Sequence, residues 1–155
     1  MIEERQSKII RHKRLWRFVP LILWFCVIFY SSTGNASMAN TSRFLRPLLE
    51  LVFSSDDTIY LANVIIRKIA HLTYYAILAG FASFAFIGSP FNWLRKNWFW
   101  ASFGVVLTIA SIDEFNQSLN PTRVGSLTDV LLDCIGGLTI LLIGRFFTSF
   151  AKNDR

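Results

Sequence analysis

Two stretches of this chain place residues capable of acid-base, metal or ion-pair chemistry beside apolar sequence. The first holds Arg67, Lys68, His71 and Tyr75; the second holds Asp113, Glu114 and Gln117, then Arg123, Asp129 and Asp133. An imidazole titrates near neutrality, and a carboxylate beside it fixes its tautomer, so His71 with Asp113 or Glu114 is a candidate general acid-base group. The same His71 with Asp113, Glu114 or Asp129 has donor types suited to a divalent metal. Arg67, Lys68 and Arg123 supply charges that grip phosphate or carboxylate, arginine in a bidentate manner. Neither a His-Glu-x-x-His run nor a phosphate-cradling glycine loop occurs, and Ser31, Ser32 and Ser126 are loose candidates for a nucleophile. No catalytic role, resident metal or other cofactor is therefore assigned from spacing alone.

The elements that must carry these groups are read from hydropathy. The 155 residues are 53% hydrophobic and 17% charged, with mean hydropathy +0.43, too apolar for a soluble domain of this size. The sequence predicts an all-α membrane protein, one domain over 1–155, with four transmembrane helices near 15–33, 68–88, 97–115 and 127–147. Each approaches the ~20 residues that cross the hydrocarbon at a rise of about 1.5 Å. Between the first two, an outer interfacial segment is expected over 41–66. There "TSRFLRPLLELVF" sets Phe44, Leu48 and Leu51 or Val52 at helical spacing, Pro47 is expected to kink the helix, and "DTIYLANVIIRK" reads as a second short helix.

The net charge of +6 is concentrated at Arg5, Lys8, Arg11, Lys13, Arg14 and Arg17, ahead of the first apolar run, which points to a cytoplasmic anchor rather than nucleic acid. With both termini inside, Arg95, Lys96, Arg145, Lys152 and Arg155 are also cytoplasmic, and only Arg43, Arg46, Arg67, Lys68 and Arg123 lie outside. A secretory signal cleaved near Ala39, after "NASMA", is the competing reading; aromatic residues crowding its core favour a retained first span. Cys26 and Cys134 both fall inside apolar runs and read as small buried hydrophobes.

This topology brings every charge near the membrane to its outer level. At about 100° per residue, Lys68, His71, Tyr75, Leu78 and Ala82 share one helix face. So do Ser102, Val106, Ala110, Asp113 and Gln117 on the third span, and Asp129, Asp133 and Gly136 on the fourth. Polar faces cannot meet lipid cheaply, so the three should face one another. Arg67 and Lys68 oppose the dipole at their helix N-terminus, as Asp113 and Glu114 do at a C-terminus; bringing the two ends together would relieve both. The plain alternative is a set of ion pairs that only pins the helices, with Arg123 clasping Asp129 or Glu114. Tyr75 is equally open to an interface-belt reading.

With "RKIAHLTYYAILAGF", "IDEFNQSLNPTRVGSLTDVLLDCIGG" and "VIFYSSTGNAS", residues from about 16 to 146 resemble the VanZ-like family of small bacterial membrane proteins. That family takes its name from a member associated with resistance to teicoplanin, a glycopeptide that targets the peptidoglycan precursor outside the membrane. The resemblance implies a bacterial cytoplasmic-membrane location, an envelope context and a polar motif formed by Lys68, His71, Tyr75, Asp113, Glu114, Gln117, Arg123 and Asp129, but no assigned reaction. Asn116 stands where many members have His, Thr122 precedes Arg123 where Gly is common, and position 133 varies between Asp and Asn. The favoured expectation is an outward-facing binding site, formed by Arg67, Lys68, His71, Tyr75, Asp113, Glu114, Gln117, Arg123, Asp129 and Asp133, for an envelope lipid or glycolipid headgroup. Its partners would be membrane lipids, including a peptidoglycan-precursor lipid, or a glycopeptide, and not nucleic acid. A hydrolase or transferase acting on such a lipid is the alternative. Proton or solute transport is less favoured, because the inner halves hold only Ser83, Ser102, Thr108 and Thr139.

Overall fold

A computed structural model describes residues 14–32, 38–119 and 125–153. These residues form helices and connecting turns, with no strand among them. A short 3-10 turn, Trp16–Phe18, leads into α1 (Val19–Ser32); α2 (Met38–Glu50), α3 (Asp56–Ile87), α4 (Asn92–Lys96), α5 (Trp98–Ser118) and α6 (Leu127–Asn153) follow. Three helices, Asp56–Ile87, Trp98–Ser118 and Leu127–Ser149, are long and apolar enough to cross a bilayer, and Trp16–Ser32 is a shorter apolar helix. The protein is an all-α membrane protein.

The main departure from the sequence reading is α3. A short helix was expected to lead into a second span at 68, but one continuous helix of 32 residues starts at Asp56, about 48 Å long at helical rise. Neither glycine nor proline interrupts the sequence from Asp56 to Ala79, so nothing in it ends the helix at the membrane surface. The helix is longer than the ~30 Å of hydrocarbon, and its first turns pack against α2. There Asn63 Nδ2 donates to Ser42 Oγ at 2.5 Å, and Arg46 bridges Glu50 and Asp56, each at 2.7 Å. The Glu50 hydrogen bond, then the Asp56 charge, hold the Arg46 guanidinium above its ordinary pKa. Helix α2 runs through Pro47 and leaves Phe44 80% and Leu48 62% exposed, an apolar face suited to the lipid interface.

Helix α3 ends where Gly88, Ser89 and Pro90 follow, since Pro90 lacks a donor and disfavours helical geometry in the residue before it. Ser89 Oγ accepts from the Phe91 amide at 3.1 Å and Arg95 Nη1 donates to the Ser89 carbonyl at 3.3 Å, tying the turn into α4. At this end arginines lie over aromatic rings: Arg17 over Phe84 at 4.7 Å and Arg145 over Phe99 at 5.3 Å.

The core lies between α3, α5 and α6. Tyr75, Leu78, Ala79, Val106, Ala110 and Leu141 are buried there. Consecutive glycines let α6 approach both neighbours. A Cβ at Gly136 would sit 2.4 Å from the Leu72 carbonyl oxygen of α3, and one at Gly137 would sit 2.8 Å from Val106 Cγ1 of α5. Helix α1 packs from the side. Trp24 Nε1 donates to the Tyr74 carbonyl at 2.9 Å, and its ring meets Tyr74 and Phe81 edge-on, each at 5.9 Å. Trp24→Phe keeps an aromatic ring, though a smaller one, and deletes this bond; the expected cost of the lost bond is about 0.5–1.5 kcal/mol in a detergent unfolding titration, with α1 loosened first.

Candidate functional site

At the end of the bundle beside the α5–α6 connection, the polar faces of three helices meet. His71 and Tyr75 come from α3, Asp113, Glu114 and Gln117 from α5, and Asp133 from α6. The helical period is responsible: Ser102, Val106, Ala110, Asp113 and Gln117 all lie on the buried face of α5, as their spacing requires. One donor atom from each of His71, Asp113, Glu114 and Asp133 lies within 4.8 Å of the others.

The hydrogen bonds divide this set. Asp113 Oδ2 accepts from the Tyr75 hydroxyl at 3.2 Å and from Gln117 Nε2 at 3.1 Å, whereas Asp113 Oδ1 is buried without a partner. Glu114 Oε2 accepts from the Ser126 amide at 2.8 Å. Ser126 directly precedes α6, and its carbonyl accepts from the amides of Asp129 and Val130, so Glu114 places its charge at the positive end of α6. Gly125 makes that approach possible, because a Cβ there would sit 2.4 Å from the Glu114 carbonyl oxygen. Ser126 Oγ and Thr128 Oγ1 are also in close contact. Asp133 is 0% exposed, and neither of its oxygens has a hydrogen-bond partner. It faces His71, with Nδ1 3.7 Å from Oδ2, beyond hydrogen-bond length.

The rim is different in character. Lys68 Nζ donates to Asp129 Oδ1 at 2.8 Å in a pair open to its surroundings. Arg67, one turn before His71 on α3, is partly exposed and makes no ion pair among the described residues. Arg123 lies outside the described residues.

Two sequence expectations change at this point, and one left open is decided. The meeting of Arg67 and Lys68 with Asp113 and Glu114 is replaced by other partners: Lys68 takes Asp129, Asp113 takes Tyr75 and Gln117, and Glu114 takes the Ser126 amide. Each carboxylate on α5 thereby finds a donor nearer than the basic pair. Tyr75 is not an interface-belt residue; it is 1% exposed and turned into the cluster. Asp129 stands apart from the buried set, and Asp133 occupies the place given to Asp129 among metal-donor candidates. Sequence reasoning passed over Ser126 as a backbone donor and Trp24 as a helix tether. A Gly-Ser pair just ahead of an apolar helical run, the usual mark of a helix start, was the available signal for the first.

This arrangement can hold a positively charged or hydroxylated group among the buried oxygens and an anionic group at Arg67 and Lys68. It could also position His71 against a carboxylate for proton transfer.

No curated protein and no solved structure matches this chain. A family model described as VanZ/LLP1 matches residues 17–148, nearly the whole of the sequence that builds the bundle and its polar end. The chain belongs to the VanZ/LLP1 family.

Proposed function

We propose that the polar end of the bundle faces outward from a bacterial cytoplasmic membrane, with both termini in the cytoplasm. There it recognises a cell-envelope lipid or glycolipid headgroup and modulates susceptibility to teicoplanin-type glycopeptides. The basic residues at Arg14, Arg17, Arg95, Lys96 and Arg145, which belong to the opposite end, support this orientation. The observation that carries the reading is the set of buried atoms without partners, Asp113 Oδ1, His71 Nδ1 and both Asp133 oxygens, lying below a rim that includes Arg67, which makes no ion pair among the described residues. A lattice that served only to pin helices would satisfy its buried polar atoms internally. Arg67 binds a headgroup phosphate or carboxylate, Lys68 shares its remaining donors, and the buried oxygens meet amines or hydroxyls. Helix α2 packs against the first turns of α3, and its exposed apolar face receives acyl chains.

A charge-assisted bond from arginine is worth about 1.5–3 kcal/mol, so Arg67→Ala is expected to weaken headgroup binding by roughly 10- to 100-fold. The measurement is competition among envelope lipids for the purified protein in nanodiscs. In cells, His71→Ala, Glu114→Gln and Arg123→Ala, expressed to equal levels, should lose any protection against teicoplanin that the wild type gives. Full protection from all three variants would contradict the reading.

A membrane-embedded hydrolase or transferase is the second reading, favoured by the approach of His71 Nδ1 to Asp133 Oδ2 at 3.7 Å. Such contacts tighten when substrate binds, which would orient His71 as a general base. Turnover of a radiolabelled cell-wall lipid, abolished in His71→Ala, would establish it.

A further inference from the structure

We infer that His71, Asp113, Glu114 and Asp133 form a binding site for one divalent first-row metal ion, manganese or zinc, at the floor of the polar end. Three carboxylates and one imidazole present donor atoms within 4.8 Å of one another. With bonds of about 2.0–2.2 Å, ligands stand roughly 3.3–3.6 Å apart around a tetrahedral ion and about 4.0–4.4 Å apart when opposite, so side-chain shifts of up to about an ångström would close the set.

The surrounding hydrogen bonds make this more than a group of acids. Tyr75 and Gln117 both donate to Oδ2 of Asp113, which leaves Oδ1 as the unpartnered atom. Ser126 occupies Oε2 of Glu114. Each of these carboxylates thus has one oxygen held by protein donors, and Asp113 keeps the other without a partner, the arrangement that orients metal-binding carboxylates. Asp133 is fully buried with neither oxygen bonded, and Nδ1 of His71 is likewise without a partner. Three buried carboxylates at this separation repel one another strongly, and a protonated His71 offsets only one charge. A divalent ion offsets two and gives the unbonded oxygens a partner. Three oxygens suit manganese, a single imidazole suits zinc, and magnesium and calcium prefer sites of oxygen alone. Asp129 is not a ligand, because it is committed to Lys68.

The inference rests on this geometry and not on headgroup recognition; with the ion in place the buried oxygens are its ligands, and a headgroup meets Arg67 and Lys68 at the rim. A protein that holds metal but shows no lipid preference would remove the earlier reading and leave this one, and the converse result would do the reverse. The test uses the full chain purified in detergent, stripped with chelator and dialysed against equal concentrations of manganese, zinc, magnesium and calcium, then against metal-free buffer. Close to one equivalent of manganese or zinc per chain is expected to remain. Asp133→Leu and His71→Gln should retain at least tenfold less, while Asp57→Asn, on an exposed turn of α3, retains as much as the wild type. Absence of retained metal in the wild type, or equal retention in both site variants, overturns the inference. Should the site variants fail to fold, manganese resonance on the wild type decides: nitrogen hyperfine coupling that changes on labelling histidine with ¹⁵N is expected, and its absence overturns the inference.

Discussion

Gly136→Leu is expected to prevent the protein from folding, and Gly136→Ala to lower its stability by about 1–3 kcal/mol, the usual cost of overpacking a close contact. The added Cβ would lie 2.4 Å from the Leu72 carbonyl oxygen, an atom of helix backbone that no side-chain rotation can move. Gly137→Ala should cost less, because its conflict at 2.8 Å is with a methyl group of Val106. Gly104→Ala has nothing within 4 Å of the new atom and should be neutral or favourable, since alanine suits a helix better than glycine. Unfolding titrations of the three alanine variants in one detergent give the order, and the yield of folded protein reports on Gly136→Leu. The effect extends to the polar end, because Leu72 is the residue after His71 and Gly136 is three residues from Asp133. Separating α3 from α6 at that crossing widens the His71–Asp133 approach, so Gly136→Ala is also expected to lose ligand binding out of proportion to its loss of stability.

Glu114→Ala and Glu114→Gln are expected to behave differently. The carboxylate accepts a 2.8 Å bond from the Ser126 amide and places negative charge at the first turn of α6. Alanine removes the acceptor and leaves a part-buried donor unpaired, an expected loss of about 1–3 kcal/mol. Glutamine retains an oxygen that can accept the same bond and removes one charge from a crowded group, so its stability should stay close to that of the wild type. Hydrogen exchange at Ser126 separates the cases, with protection falling in the alanine variant and persisting in the glutamine variant. Equal protection in both would mean that Glu114 does not fasten the start of α6.

Helix faces were legible in the sequence because lipid imposes a simple cost. Polar residues at helical spacing must turn inward, and Ser102, Asp113 and Gln117 do so together with Val106 and Ala110. The glycine at 136 was legible for the same reason, as a point of close approach. The choice of partners was not. Which cation met Asp129, and whether Glu114 sought a side chain or a backbone amide, depends on the rotation of each helix about its axis, which periodicity leaves free. The length of α3 was hidden for another reason: hydropathy marks where a helix leaves lipid, not where it ends, and nothing from Asp56 to Ala79 breaks it. Trp24 gave no local sign of its bond to the Tyr74 carbonyl, since the two are joined only by packing.

The account depends on α3, α5 and α6 bringing their polar residues together on the outer side of the membrane. The most direct measurement is cross-linking of a Lys68→Cys, Asp129→Cys pair, in a chain lacking Cys26 and Cys134, by a short membrane-impermeant bifunctional thiol reagent added to intact cells. Lys68 Nζ and Asp129 Oδ1 are 2.8 Å apart, so efficient intramolecular cross-linking is predicted, with none for a Lys68→Cys, Arg145→Cys pair. Absence of the 68–129 cross-link in intact cells, when the same pair links readily in inverted vesicles, would place the site on the cytoplasmic face. Absence in both preparations would show that these helices do not meet there at all.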